Sequence, residues 1–109
     1  MASKDFLETL QATARRLNDV EEGASCSQAS FKVAGKAFLY AGKQGGRCKA
    51  MFRLEDSLPE AADMAASAPE DVQIGKHGWV TLRCAADKPP SARLWKRWLT
   101  ESYARAAAQ

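Results

Sequence analysis

Two patterns that commonly announce metal or catalytic chemistry are missing from this chain. Its three cysteines, Cys26, Cys48 and Cys84, lie 22 and 36 residues apart, so there is no Cys-x-x-Cys pair of the kind zinc sites use. His77 is the only histidine, which excludes a centre built from several histidines. No apolar run approaches the ~20 residues of a membrane-spanning helix, and Asp5 and Glu8 stand where a signal peptide would carry its apolar segment. The expectation is a cytoplasmic protein with no membrane partner, no metal and no cofactor. Its cysteines then stay reduced, with Cys48 and Cys84 inside strands as small apolar side chains.

What is present fits one globular domain over residues 1–109. The chain is 46% hydrophobic and 27% charged, which is enough to bury a single core and too much apolar content for a disordered chain. The net charge of +3 conceals four blocks. Residues 1–29 carry a net −2. Residues 30–54 carry +6 from Lys32, Lys36, Lys43, Arg47, Lys49 and Arg53, with no acidic residue in 25 positions. Residues 55–71 carry −6, and residues 72–109 return to +5. If the two basic blocks meet in space, they form a positive face opposite an acidic helix.

Periodicity supplies the elements. Ser3 is a candidate N-cap, and Phe6, Leu7, Leu10, Ala14 and Leu17 form the apolar stripe of a first helix. The polar stretch from Asn18 to about Gln28 reads as a loop. Residues 30–34 alternate with period two, Gly35-Lys36 turns the chain, and residues 37–41 return. Gly42–Gly46 reads as a five-residue hairpin loop. Cys48–Leu54 alternates again, with Lys49, Met51 and Arg53 on the face away from Cys48, Ala50, Phe52 and Leu54. Ser57 and Glu60 have capping-box spacing ahead of an alanine-rich helix over residues 61–68. Strands follow at residues 72–74 and 79–84, the second with Trp79, Thr81 and Arg83 facing outward. Pro90 suits the first turn of a last helix, in which Trp95, Trp98, Leu99, Ser102 and Ala106 share one face and Arg93, Lys96 and Arg97 the other. The order α-β-β-β-α-β-β-α predicts an α+β two-layer sandwich, an antiparallel sheet with helices on one face.

Phe31-Lys32-Val33-Ala34-Gly35-Lys36-Ala37-Phe38, then Lys76-His77-Gly78-Trp79-Val80-Thr81-Leu82 and finally Ser102-Tyr103 resemble the MmcQ/YjbR family over roughly residues 5–107. The resemblance implies the same element order and a shape similar to double-wing DNA-binding domains, grouped with frataxin-like and secretion-chaperone-like sandwiches. It therefore implies DNA binding by analogy of shape. The chain departs from the family at Leu17-Asn18-Asp19 and Ala24-Ser25-Cys26, where the family has Leu-Pro-Gly and Pro-Phe-Gly.

The alternation predicts a nucleic-acid-binding face from Lys32, Lys49, Arg53, Trp79 and Arg83, extended by Lys36, Lys43 and Arg47 in the hairpin turns and by Lys76 and His77. Cations neutralise phosphates and an exposed aromatic ring stacks on a base or sugar. An uncovered sheet face must be polar in any case, so the same residues also read as solubilising. A protein-interaction or chaperone-like adaptor using Met51 and Trp79 is the alternative, with the chain a monomer or weak dimer. An enzyme is not expected: His77 has no Ser/His/Asp or paired-carboxylate companions in sequence, and Gly42-Lys43-Gln44-Gly45-Gly46 lacks the Lys-Ser/Thr of a phosphate-binding loop. Glu55, Asp56, Glu60 and Asp63 would be the acidic residues of a frataxin-like iron ridge, but read more simply as the acidic start of a helix.

Overall fold

The computed structural model describes residues 6–25, 28–85 and 87–108. Helix α1 (Phe6–Arg15) is followed by strands β1 (Val20–Ser25), β2 (Gln28–Val33), β3 (Lys36–Gln44) and β4 (Arg47–Arg53). Then come α2 (Leu58–Ser67), β5 (Val72–Ile74), a 3-10 turn (Lys76–Gly78), β6 (Trp79–Cys84) and α3 (Ala92–Ala107). Six strands form one antiparallel sheet in the order β1-β2-β3-β4-β6-β5. The fold is α+β, with the core between one sheet face and the helices.

The core follows the predicted faces. Phe6, Leu7, Leu10 and Ala14 of α1 are buried, as are Trp95, Trp98, Leu99, Ser102 and Ala106 of α3. They meet Phe31, Leu39, Ala41, Ala50, Phe52, Val80 and Leu82 from the strands. Edge-on ring contacts lock the layers, Phe52 to Trp98 at 5.9 Å and Phe6 to Trp95 at 6.0 Å. Ser3, Asp5 and Cys26 lie outside the described residues.

Four local expectations need correction. The stretch after α1 is not a loop: β1 pairs with β2 from Val20↔Val33 to Ser25↔Gln28, so the meander has four strands and the order is α-β-β-β-β-α-β-β-α. Its sequence, Val-Glu-Glu-Gly-Ala-Ser, has weak strand propensity. Tertiary contacts decide, with Arg15 of α1 donating to both carboxylate oxygens of Glu22 at 2.7 and 2.8 Å. The five-residue loop shrinks to two residues, because β3 runs on to Gln44 and only Gly45 and Gly46, both at positive φ, make the turn. Ala34 and Gly35 make the same kind of two-residue turn between β2 and β3. The capping box does not form: the Ser57 side chain makes no capping bond within α2, and Glu60 instead accepts from Arg97 and from the indole N–H of Trp98. Glu101 of α3 replaces it, accepting from the backbone N–H of Glu55 and Ser57 and from Ser57 Oγ. Finally, α3 starts at Ala92 with Ser91 as its N-cap, so Pro90 precedes the helix.

A register shift between β2 and β3 shapes the outer face. Phe31 lies opposite Leu39 and Lys32 opposite Ala37, which leaves Phe38 as an extra residue. Phe38 and Leu39 are therefore both buried on the helix side. Ser102 of α3 fills the gap this opens, donating to Phe38 O at 2.6 Å and accepting from Arg53 N at 2.9 Å.

Candidate nucleic-acid interface

The helices leave one sheet face uncovered. Strand parity puts Lys32, Tyr40, Gln44, Arg47, Lys49, Met51, Arg53, Trp79, Thr81, Arg83 and Gln73 there. Lys49 stands directly opposite Arg83, so the first basic block meets the second in adjacent strands β4 and β6. Arg53 stands opposite Trp79 in the same ladder, and Lys32 lies on β2.

Carboxylates on this face keep to its margins among the described residues. Glu21 of β1 lies opposite Lys32 at one edge, and Asp71, just before β5, binds the Arg47 guanidinium at the other. Among the other acids of residues 55–71, Glu60 pairs with Arg97, and Glu55 lies 3.6 Å from Arg105. The Arg97 guanidinium and, behind it, the Trp98 indole hold the Glu60 carboxyl below the usual carboxylate range, while its partial burial opposes this. At the centre of the face the positive charge is not cancelled. Arg83 donates to the neutral amides of Gln73 and Gln44 at 2.6 and 3.2 Å, and Arg53 Nε donates to His77 O at 3.0 Å. Lys49 has no carboxylate partner among the described residues.

The centre is aromatic. Tyr40 of β3 and Trp79 of β6 flank β4, and their rings meet across it 5.4 Å apart at 49°. Met51 lies between their strands, and all three side chains are half-buried. Tyr40 was not among the predicted site residues. Uninterrupted alternation would place it with Phe38, and the bulge at Phe38 separates the two.

The other predicted residues scatter. Lys36 shares the parity of Val33 and Lys43 that of Ala41 and Cys48, so both fall on the helix side of the sheet, exposed beyond the core. Arg47 begins β4 and is engaged with Asp71 and with Glu70 O. Lys76 and His77 occupy the exposed 3-10 turn, with His77 at φ 60° and its carbonyl taken by Arg53. The two-residue turns lie at opposite ends of a sheet whose strands run about 20 Å. Lys32, Lys49, Arg53, Arg83 and Trp79 therefore come together; Arg47 shares their face at its margin with its charge taken by Asp71, and the other residues near the turns do not join them.

Cys48 and Cys84 face each other across β4 and β6, both buried and reduced. Burial, and next the neighbouring Cys48 thiol, push the Cys84 thiol up to about 11, so it is not an activated nucleophile. No helix among the described residues is long and apolar enough to cross a membrane. No curated protein is similar enough to the chain to be matched with it. The model of the YjbR family matches residues 15–105, which hold all six strands, α2 and most of α3, and the chain belongs to that family.

Proposed function

We propose that the chain is a DNA-binding protein that grips the sugar-phosphate backbone weakly through its uncovered sheet face. One observation carries the reading: Lys32, Lys49, Arg53 and Arg83 share a helix-free face on which the described carboxylates, Glu21 and Asp71, stand at the margins, while Glu55 and Glu60 are engaged by arginines elsewhere. Four cations make few phosphate contacts, so binding is weak, strongest at low salt and indifferent to base sequence. The reading rests on the face rather than on the turns, because Lys36 and Lys43 turn to the helix side.

Fluorescence anisotropy on labelled duplexes of several sequences tests it. Lys49→Ala and Arg53→Ala should each weaken binding equally across sequences and flatten the salt dependence by about 0.9 per lost contact. Absence of binding to any duplex or single strand at low salt would remove the proposal. The half-buried Tyr40, Met51 and Trp79 support a second reading, a self-associating or adaptor surface. Concentration-dependent sedimentation without nucleic-acid binding would favour it.

A further inference from the structure

We infer that the occupant of this face is an unpaired strand, with Tyr40 and Trp79 as its stacking platform; the inference rests on the nucleic-acid reading above. The face combines two parts that only a single strand uses together. The first is the ring pair at the centre, set 5.4 Å apart on strands either side of β4. The second is the cations around it: Lys49 and Arg83 side by side beyond Met51 and Thr81, Arg53 beside Trp79, and Lys32 toward β1. Unpaired bases present their faces to aromatic rings while their phosphates reach flanking lysines and arginines. A duplex keeps its base faces stacked inside and offers the platform nothing but phosphates.

The turns argue in the same direction. Reading a duplex groove needs a protruding helix or ribbon. Here the uncovered face carries no helix, and the turns at Ala34-Gly35 and Gly45-Gly46 are two residues long and sit at opposite ends of the sheet. Strands about 4.8 Å apart place Lys32 on β2 and Arg83 on β6 three intervals from one another, roughly 14 Å across the sheet, and the register offsets them by roughly 15 Å more along the strands, room for a few nucleotides on a diagonal. Neither ring hydrogen-bonds a base edge by necessity, so the platform tolerates any sequence.

The test compares fluorescein-labelled twelve-nucleotide oligothymidine, the matching mixed-sequence single strands of DNA and RNA, and a twelve-base-pair duplex, all at one low salt concentration. Single strands should bind at least tenfold more tightly than the duplex. Tyr40→Leu and Trp79→Leu, which keep an apolar side chain in the half-buried position, should each lose roughly five- to a hundredfold in single-strand affinity while duplex affinity changes little. Unlabelled protein gives an independent readout. Trp95 and Trp98 are 3% and 0% exposed, so quenching by oligothymidine must come from Trp79 and should vanish in Trp79→Leu. Equal affinity for duplex and single strand without quenching would overturn the platform and leave backbone binding standing. No binding of any probe would overturn both.

Discussion

Ser102→Ala isolates what holds the bulged end of the sheet. Ser102 is 1% exposed, and its hydroxyl is the partner of two backbone groups on different strands, Phe38 C=O and Arg53 N–H. The β3–β4 ladder extends only to Leu39↔Phe52 at this end, so the hydroxyl substitutes for the next bond of the ladder. Its removal leaves a buried acceptor and a donor unpaired, at ~1–3 kcal/mol each. Partial relaxation brings the expected loss to about 2–4 kcal/mol. In a chain of this length that lowers the melting temperature by roughly 8–20 °C. Tyr103→Phe, one residue on, removes an exposed hydroxyl bond to Asn18 O at 2.7 Å and should cost under about 1 kcal/mol. Urea denaturation and calorimetry on both variants measure the difference. A loss below about 1 kcal/mol for Ser102→Ala would mean that the strands close on each other and the bridging role is wrong.

Gly78→Ala should be among the most damaging small substitutions: φ there is +85°, and an added Cβ would lie 2.5 Å from Leu54 O, so a loss of at least 2 kcal/mol is expected from strain and clash. Wild-type stability in that variant would contradict the close approach. In the native protein at pH 8, Cys84 should react with iodoacetamide roughly a hundredfold more slowly than after denaturation, since burial pushes its thiol up to about 11; peptide mapping that finds equal rates would refute this. Glu101 is held below the usual carboxylate range, burial working against it and the bonds from Ser57 Oγ and the backbone N–H of Glu55 and Ser57 prevailing. Its contribution is therefore complete above about pH 4.5, the unfolded value, and fades as pH falls through the lowered folded value, so thermal melts of Glu101→Gln should show lower stability at pH 7 and a flatter decline into acid.

The elements that sequence alone located are those whose period survives folding. The α1 and α3 stripes and the alternation of β4 and β6 each put the expected residues in the core. The elements it missed depend on partners far along the chain. Glu21, Glu22 and Gly23 give no hydrophobic alternation, and β1 exists because β2 offers a free edge and Arg15 holds Glu22. Gly42 reads as the start of a loop, yet it pairs with Gln28 on one side and Lys49 on the other. Ser57 and Glu60 satisfy a local capping pattern, but Arg97, Trp98 and Glu101, some 40 residues away, compete successfully for both.

The same distinction separates what family membership fixes from what it leaves open. Phe31 and Phe38 meet in the core at 6.5 Å, Ala34-Gly35 turns the hairpin, Gly78 admits Leu54, and Ser102 and Tyr103 tie α3 to the sheet and to the end of α1. Most residues that carry the resemblance thus maintain the backbone, and Lys32, Trp79 and Thr81 are the ones whose side chains lie on the uncovered face. Tyr40, Lys49 and Arg83 lie outside the shared segments or at their margin, yet they supply half the ring pair and the meeting point of the two basic blocks. Replacing those three side chains would leave the motif and the sheet intact while dismantling the platform and its central charge. Architecture therefore follows from the family, whereas the proposed nucleic-acid binding rests on this chain's own outer face, and substitutions at Tyr40, Lys49 and Arg83 are the ones that separate the two.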